Sequence, residues 1–257
     1  MPTPRRDWRR EELIVAFNLY CKIPFGRIHI RNPQIIALAK MLGRTPSAVS
    51  WKLANFARLD PTLKSRGIKG ASHGAKSETD IWQEFAGNWE QLAFESERLL
   101  AKMTGRKLEQ VAALAEDELP REGKERERMV RTRVNQQFFR ATVLAAYRQR
   151  CCITKLAVPE LLNASHIVPW SADVMNRVNP RNGLCLNAIH DRAFDRGLLT
   201  ITNDYRVKLS PALTDALKDS VAKDFFLPYD LKSIELPTHF TPDESFLQYH
   251  NEKVFIQ

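Results

Sequence analysis

The sequence predicts an α+β chain: a helical, helix-turn-helix-like N-terminal module, followed by a C-terminal domain of short strands around a small helix. Apolar residues recur at helical spacing from Asp7 to Asp60. Glycine, serine and lysine then crowd the stretch from Arg66 to Thr79. Beyond Val134 the apolar runs shorten to strand length and are separated by turn residues.

In the first part, Leu13, Ile14, Phe17 and Tyr20 form one helical face behind Asp7 as a cap. Asn32-Pro33 opens a second helix, with asparagine as cap and proline in the first turn, which buries Ile35, Ile36, Leu38 and Ala39. Gly43 is placed to end it, and Thr45-Pro46 starts a third, with Val49, Leu53 and Phe56 at one spacing. These features assign residues 1–65 to a helical module and 66–80 to a Gly/Ser/Lys-rich linker or loop. Residues 81–133 read as a helical connector, with Trp82, Phe85, Trp89, Leu92 and Leu99 in a helical pattern. The mixed-sign stretch Glu116 to Arg133 closes it as a solvated face.

Residues 134–257 form the last domain. A helix carrying Phe138, Phe139, Val143, Leu144 and Tyr147 leads into strands at Cys152–Thr154, Ala164–Val168, Leu184–Leu186, Leu198–Ile201 and Arg206–Leu209. Asn179-Pro180, Asn182-Gly183 and Asn203-Asp204 mark turns, and a short helix spans Ile189 to Phe194. The tail from Pro228, rich in proline and aromatics, wraps this domain.

Lys and Arg total 39 against 30 Asp and Glu, a net charge of +9, which favours a polyanionic partner. No apolar run approaches the roughly 20 residues that span a bilayer. The basic N-terminus leads into Glu11 and Glu12 rather than an apolar signal core, so a soluble, cytoplasmic protein is expected, nucleoid-associated when bound to DNA. Cys21, Cys151, Cys152 and Cys185 include no Cys-x-x-Cys pair and read as reduced, buried thiols. His29, His73, His239 and His250 have no evident partners and read as surface residues.

The remaining histidines sit in a pattern. Ala164-Ser165-His166-Ile167-Val168-Pro169-Trp170 places His166 late in a strand, Asn182-Gly183-Leu184 opens the next, and His190 opens the following helix. With the lead-in Arg133 to Arg150 and Cys151-Cys152-Ile153-Thr154, and the closing run His190 to Leu198, this order resembles the HNH, or ββα-metal, endonucleases of a bacterial restriction-type branch. The resemblance covers roughly the C-terminal half. It implies a ββα-metal nuclease domain that hydrolyses DNA phosphodiester bonds, leaving 5′-phosphate and 3′-hydroxyl ends.

Such hydrolysis needs an activated water, neutralised charge in the transition state and a stabilised leaving oxygen. The resemblance implies His166 as general base, since imidazole with a pKa of about 6.5 is a competent base at neutral pH. It implies His190 as a metal ligand and Asn182 as the residue that orients His166 through the intervening loop. Many relatives carry Asp or His just before the first motif histidine, and here that residue is Ser165. The second ligand then falls to Asp195 ahead of Asp191, though either could instead cap a helix or pair with Arg192 or Arg196. Mg²⁺ or Mn²⁺ suits so few protein ligands.

For the N-terminal module, Arg44, Ser47, Ser50, Lys52, Asn55 and Arg58 are candidates for contact with double-stranded DNA, and the alternative is a bundle that holds a dimer or docks the nuclease domain. A homodimer would supply two active sites for double-strand cutting. The rival to the whole reading is a non-catalytic DNA-binding regulator with a degenerate nuclease fold. Ser165 favours that rival, and the intact His166, Asn182 and His190 oppose it.

Overall fold

The computed structural model of the chain describes residues 6–68, 74–112, 114 and 123–257. His73, Gly70 and Ser72, and the charged stretch at 116–122, lie outside the described residues. The chain divides into two compact units, 1–138 and 139–257. The fold is helix-rich and mixed, with two small antiparallel sheets among the described residues. No helix of the described residues is long and apolar enough to cross a membrane.

The N-terminal unit comprises α1 (Arg10–Cys21), α2 (Pro33–Leu42), α3 (Pro46–Ala57), α4 (Pro61–Ser65), α5 (Lys76–Phe85), α6 (Trp89–Thr104), α7 (Leu108–Val111) and the first part of α8 (Lys124–Ala146). Local chemistry sets the helix ends. Asn32 accepts from Gln34 N at 2.9 Å, Thr45 from Ala48 N at 3.1 Å and Asp60 from Thr62 N at 2.8 Å, each with proline starting the helix behind it. Gly43 ends α2 at φ 60°, a left-handed conformation that glycine adopts without strain. The cap of α1 is Arg9 rather than Asp7, because the Glu12 carboxylate reaches back to Arg9 N at 2.9 Å. Helix α1 packs on α3, α5 and α6, with Phe17 stacked on Phe56 at 4.8 Å and tilted against Trp82 at 5.1 Å. Helices α5 and α6, expected as part of a connector, therefore share a core with α1 and α3.

That packing turns several candidate DNA contacts inward. Arg44 pairs with Glu12 at 2.7 Å, both side chains buried, and lies 4.0 Å from the Trp8 ring centroid. Burial pushes the Glu12 carboxyl up, but Arg44, Arg9 N and Arg6 together hold its pKa at about 2. Lys52 is buried against the fully buried Glu78, which also accepts from Asn55 at 2.9 Å. The expectation that Arg44, Lys52 and Asn55 line an exposed face is thus corrected: buried carboxylates on α1 and α5 claim them. Arg58 is half-buried against Gly74. Ser47 is exposed, Ser50 is half-buried, and Trp51 is 63% exposed.

In the C-terminal unit β1 (Leu162–His166) and β2 (Gly183–Asn187) pair antiparallel, with His166 opposite Gly183 and Leu162 opposite Asn187. Helix α9 (Ala188–Asp195) follows β2 directly and packs on both strands. Strands β3 (Leu199–Ile201) and β4 (Val207–Leu209) form the second sheet, followed by α10 (Pro211–Ala216), α11 (Ser220–Phe226) and α12 (Glu244–Lys253). Leu162, Ile167, Leu184, Leu186, Phe194 and Leu199 share one core. Cys152-Ile153-Thr154, expected as a strand, is a turn closed by Lys155 N on Cys151 O at 2.9 Å, with Lys155 at φ 63°. All four cysteines are buried and none is in a disulfide.

Of the histidines expected at the surface, His29 is exposed, whereas His239 and His250 are each 1% exposed. His250 stacks on Phe194 at 3.7 Å and bonds Phe194 O at 3.2 Å through Nε2. Its burial pushes its pKa down to about 4 against the weaker opposing effect of the Phe194 carbonyl. The unfolded chain therefore takes up this proton near pH 6.5 and the folded chain only near pH 4, so stability falls as pH drops through that window. Chemical denaturation should show a loss approaching about 3 kcal/mol by pH 4, shallower in His250→Gln.

Candidate active site

Two strands and the helix behind them bring together a histidine, two carboxylates and a loop. His166 is the last residue of β1, and its ring stacks on Phe139 at 3.9 Å and 9°. Gly183 makes that stacking fit: a β-carbon there would come within 2.9 Å of Phe139 Cζ and 2.5 Å of Val143 Cγ2. The edge of the Trp170 ring closes a further side of the imidazole at 5.4 Å.

His166 Nε2 lies 2.8 Å from the Arg177 carbonyl oxygen. A carbonyl only accepts, so Nε2 carries the proton and Nδ1 keeps its lone pair. No hydrogen bond engages Nδ1 among the described residues. Burial lowers the His166 pKa, and the Arg177 carbonyl and the Asp191 charge offset part of that shift. The ring therefore stays neutral below the usual histidine pKa.

Asn182 is 1% exposed and works on the loop, not on the ring. Its Oδ1 accepts from Val168 N at 2.8 Å, while Nδ2 donates to Val168 O at 3.1 Å and Asn176 O at 3.2 Å. These bonds staple both ends of the segment whose Arg177 carbonyl holds His166. Asn182 thus ties the loop and does not bond the imidazole.

Helix α9 supplies the carboxylates. Asn163 and Ser165 alternate onto one face of β1 and both donate to Asp191, Asn163 Nδ2 at 2.6 Å and Ser165 through its hydroxyl. Asp195 lies one turn further on. Burial and then the Asp191 charge raise its pKa, against Arg192 and Arg196. Pleat alternation sends Ser165 and His166 to opposite faces, yet the Asp191 charge still reaches His166 and raises its pKa slightly against burial.

His190, expected as the metal ligand, is 1% exposed and turned into the core. Asn187 caps α9, its Oδ1 accepting from Ile189 N at 3.1 Å and His190 N at 3.0 Å. The cap fixes the amide so that Nδ2 faces His190 Nδ1 at 2.8 Å. Nδ1 is then the acceptor, and the proton on Nε2 goes to Phe225 O at 2.8 Å. Both nitrogens are spent and no lone pair is left for a cation. Phe226 and Tyr229 pack edge-on at 5.3 and 5.6 Å. The same Asn187 amide reaches Thr154 Oγ1 at 3.2 Å and Cys151 Sγ at 3.7 Å. The reading from sequence missed Asn163, Asn187 and Arg177. Strand alternation relative to Ser165 was the available signal for Asn163, and the position just before the helix was the signal for Asn187; Arg177 had none. Among the described residues no three His, Cys, Asp or Glu side chains converge as a metal-binding group.

Residues 151–202, from the Cys151 turn through β1, β2 and α9 to the end of β3, match the model of a family described as HNH endonuclease. The N-terminal unit lies outside the match. No curated protein matches the chain.

Asn187→Ala removes a helix cap and leaves His190 Nδ1 without a donor in the core, and should cost about 2 kcal/mol in urea unfolding. Asn187→Asp keeps the cap but not the donated hydrogen bond, and should fall between the two.

Proposed function

We propose that this chain is a metal-dependent HNH-type endonuclease that hydrolyses DNA phosphodiester bonds and serves as a bacterial restriction or defence enzyme. One observation carries the reading. Within a segment similar to HNH endonucleases, His166 ends a strand with Nδ1 unengaged and its pKa lowered by burial, a shift partly offset by the charge of Asp191, which α9 carries one helical turn before Asp195.

In this reading His166 Nδ1 takes a proton from the water that attacks phosphorus. Nε2 stays on the Arg177 carbonyl, so the imidazolium that forms keeps its orientation. Asn182 holds the loop, and so the base, in register.

The oxygen donors of Asp191 and Asp195 fit a divalent ion such as Mg²⁺ or Mn²⁺. Burial and then the Asp191 charge raise the Asp195 pKa, and a cation would offset both. The bonds from Ser165 and Asn163 would aim Asp191 as outer-sphere partners. Asp191 thereby takes the place first given to His190, beside Asp195. When bound, such an ion supplies charge neutralisation at the phosphate and at the leaving 3′-oxygen. In the helical unit Ser47, Ser50 and the exposed Trp51 remain available for contact with double-stranded DNA, and a homodimer would permit double-strand cleavage.

Plasmid and phage DNA should be cut with Mg²⁺ or Mn²⁺ and left intact in EDTA, with His166→Ala slower by roughly 10²- to 10⁴-fold. Intact DNA under every metal, with gel-shift binding retained, would overturn the catalytic reading in favour of a DNA-binding regulator. Because the base must be neutral and its pKa is lowered, the acid limb of the cleavage profile should lie below pH 6.5. Asp191→Asn and Asp195→Asn should each raise the metal concentration needed for half-maximal rate, whereas His190→Gln should act mainly on stability.

A further inference from the structure

The loop between β1 and β2 holds a cation that the fold itself only half uses. Arg177 donates from Nε to Trp170 O at 2.7 Å, and its guanidinium carbon lies 5.3 Å from the Trp170 ring centroid. These contacts brace the side chain. They leave both terminal nitrogens without a hydrogen bond, and no carboxylate pairs with the group among the described residues. The nearest acid in the loop, Asp173, is occupied by Met175 N, Asn176 N and Asn176 Nδ2. Arg181, four residues on, pairs with Asp243 at 3.1 Å. Arg177 is thus a rigidly held positive charge with a free donor edge.

Its position gives that charge a use. The backbone carbonyl of Arg177 holds His166, and its guanidinium and the His166 imidazole flank the same indole. The loop tip just before it, Val174 and Met175, is 56% and 83% exposed, and Arg177 itself is half-buried, so this end of the loop faces solvent. A planar guanidinium with two free N–H groups matches two oxygens of a phosphate.

Resting on the nuclease reading above, we propose that Arg177 clamps a backbone phosphate of the DNA strand beside His166, seating that strand on the β1–β2 loop. One residue then links binding to chemistry: its carbonyl orients the base, and its side chain fixes the strand against it. The contact is made before and during reaction alike, so it acts on substrate binding more than on the chemical step.

The test is fluorescence anisotropy of a labelled DNA duplex in EDTA across a salt series, for wild type, Arg177→Gln and Arg177→Lys, followed by cleavage kinetics with Mg²⁺. Gln keeps a donor for Trp170 O but no charge, and Lys keeps the charge. The proposal expects the log–log salt slope of Arg177→Gln to be shallower by about one and that of Arg177→Lys to stay near wild type. It expects KM to rise roughly tenfold in Arg177→Gln while kcat and the pH profile hold, because the carbonyl that orients His166 remains. A wild-type slope and KM in Arg177→Gln, with wild type binding and cutting DNA, would overturn the clamp alone, because a residue that only braces the loop does not change the counterions released. A wild type that neither binds nor cuts DNA would overturn the nuclease reading, and the clamp with it.

Discussion

The side-chain amide of Asn187 meets two demands at once. Its oxygen satisfies the first free N–H groups of α9, as a cap must, and that leaves its nitrogen facing inward, where His190, Thr154 and Cys151 supply acceptors. The helix therefore starts at one fixed residue and one fixed rotation. With His190 pinned inward between Asn187 and Phe225 O, the next residue, Asp191, turns toward Asn163 and Ser165 on β1, and Asp195 follows one turn later. A shift of one residue in that start would bury a carboxylate and expose the imidazole. The face that α9 turns to β1 follows from this one cap.

His166 is held by a different logic. Burial between Phe139 and Trp170 disfavours its charged form and outweighs the Arg177 carbonyl, which favours it. The fold keeps the ring neutral, and the tautomer is set by a backbone group that no side-chain change removes. Asn182 contributes at one remove, through a loop whose ends it ties together. The constraint reaches α8, since Gly183 must lack a side chain for Phe139 to lie flat on the imidazole.

In the N-terminal unit the charged residues of α3 and the turn before it hold the bundle together. Glu12 and Glu78 are buried carboxylates, and each needs a cation for its burial to be tolerated. Arg44 and Lys52 fill that need, and the Trp8 ring lies over both. The basic character of this segment is thus partly internal, since Arg44 and Lys52 neutralise carboxylates of the same unit.

Much of this was legible along the chain. The Asn-Pro and Thr-Pro starts and the Gly43 stop fixed α2 and α3 through purely local hydrogen bonds and backbone preferences. The order of Ser165-His166, Asn182-Gly183 and His190 fixed the strand, loop, strand and helix that carry the site. Periodicity could not say which way a polar residue faces when its partner is distant in sequence. Lys52 meets Glu78, Arg44 meets Glu12, His190 meets Phe225 and His166 meets Arg177 only after the chain has folded back. The sequence by itself determined the starts of α2 and α3 and the order of β1, β2 and α9 with the histidines they carry. The tertiary structure decided which nitrogen of His166 is left unengaged and that Asp191, not His190, turns to β1, because tautomer and burial are set by contacts that local sequence does not contain.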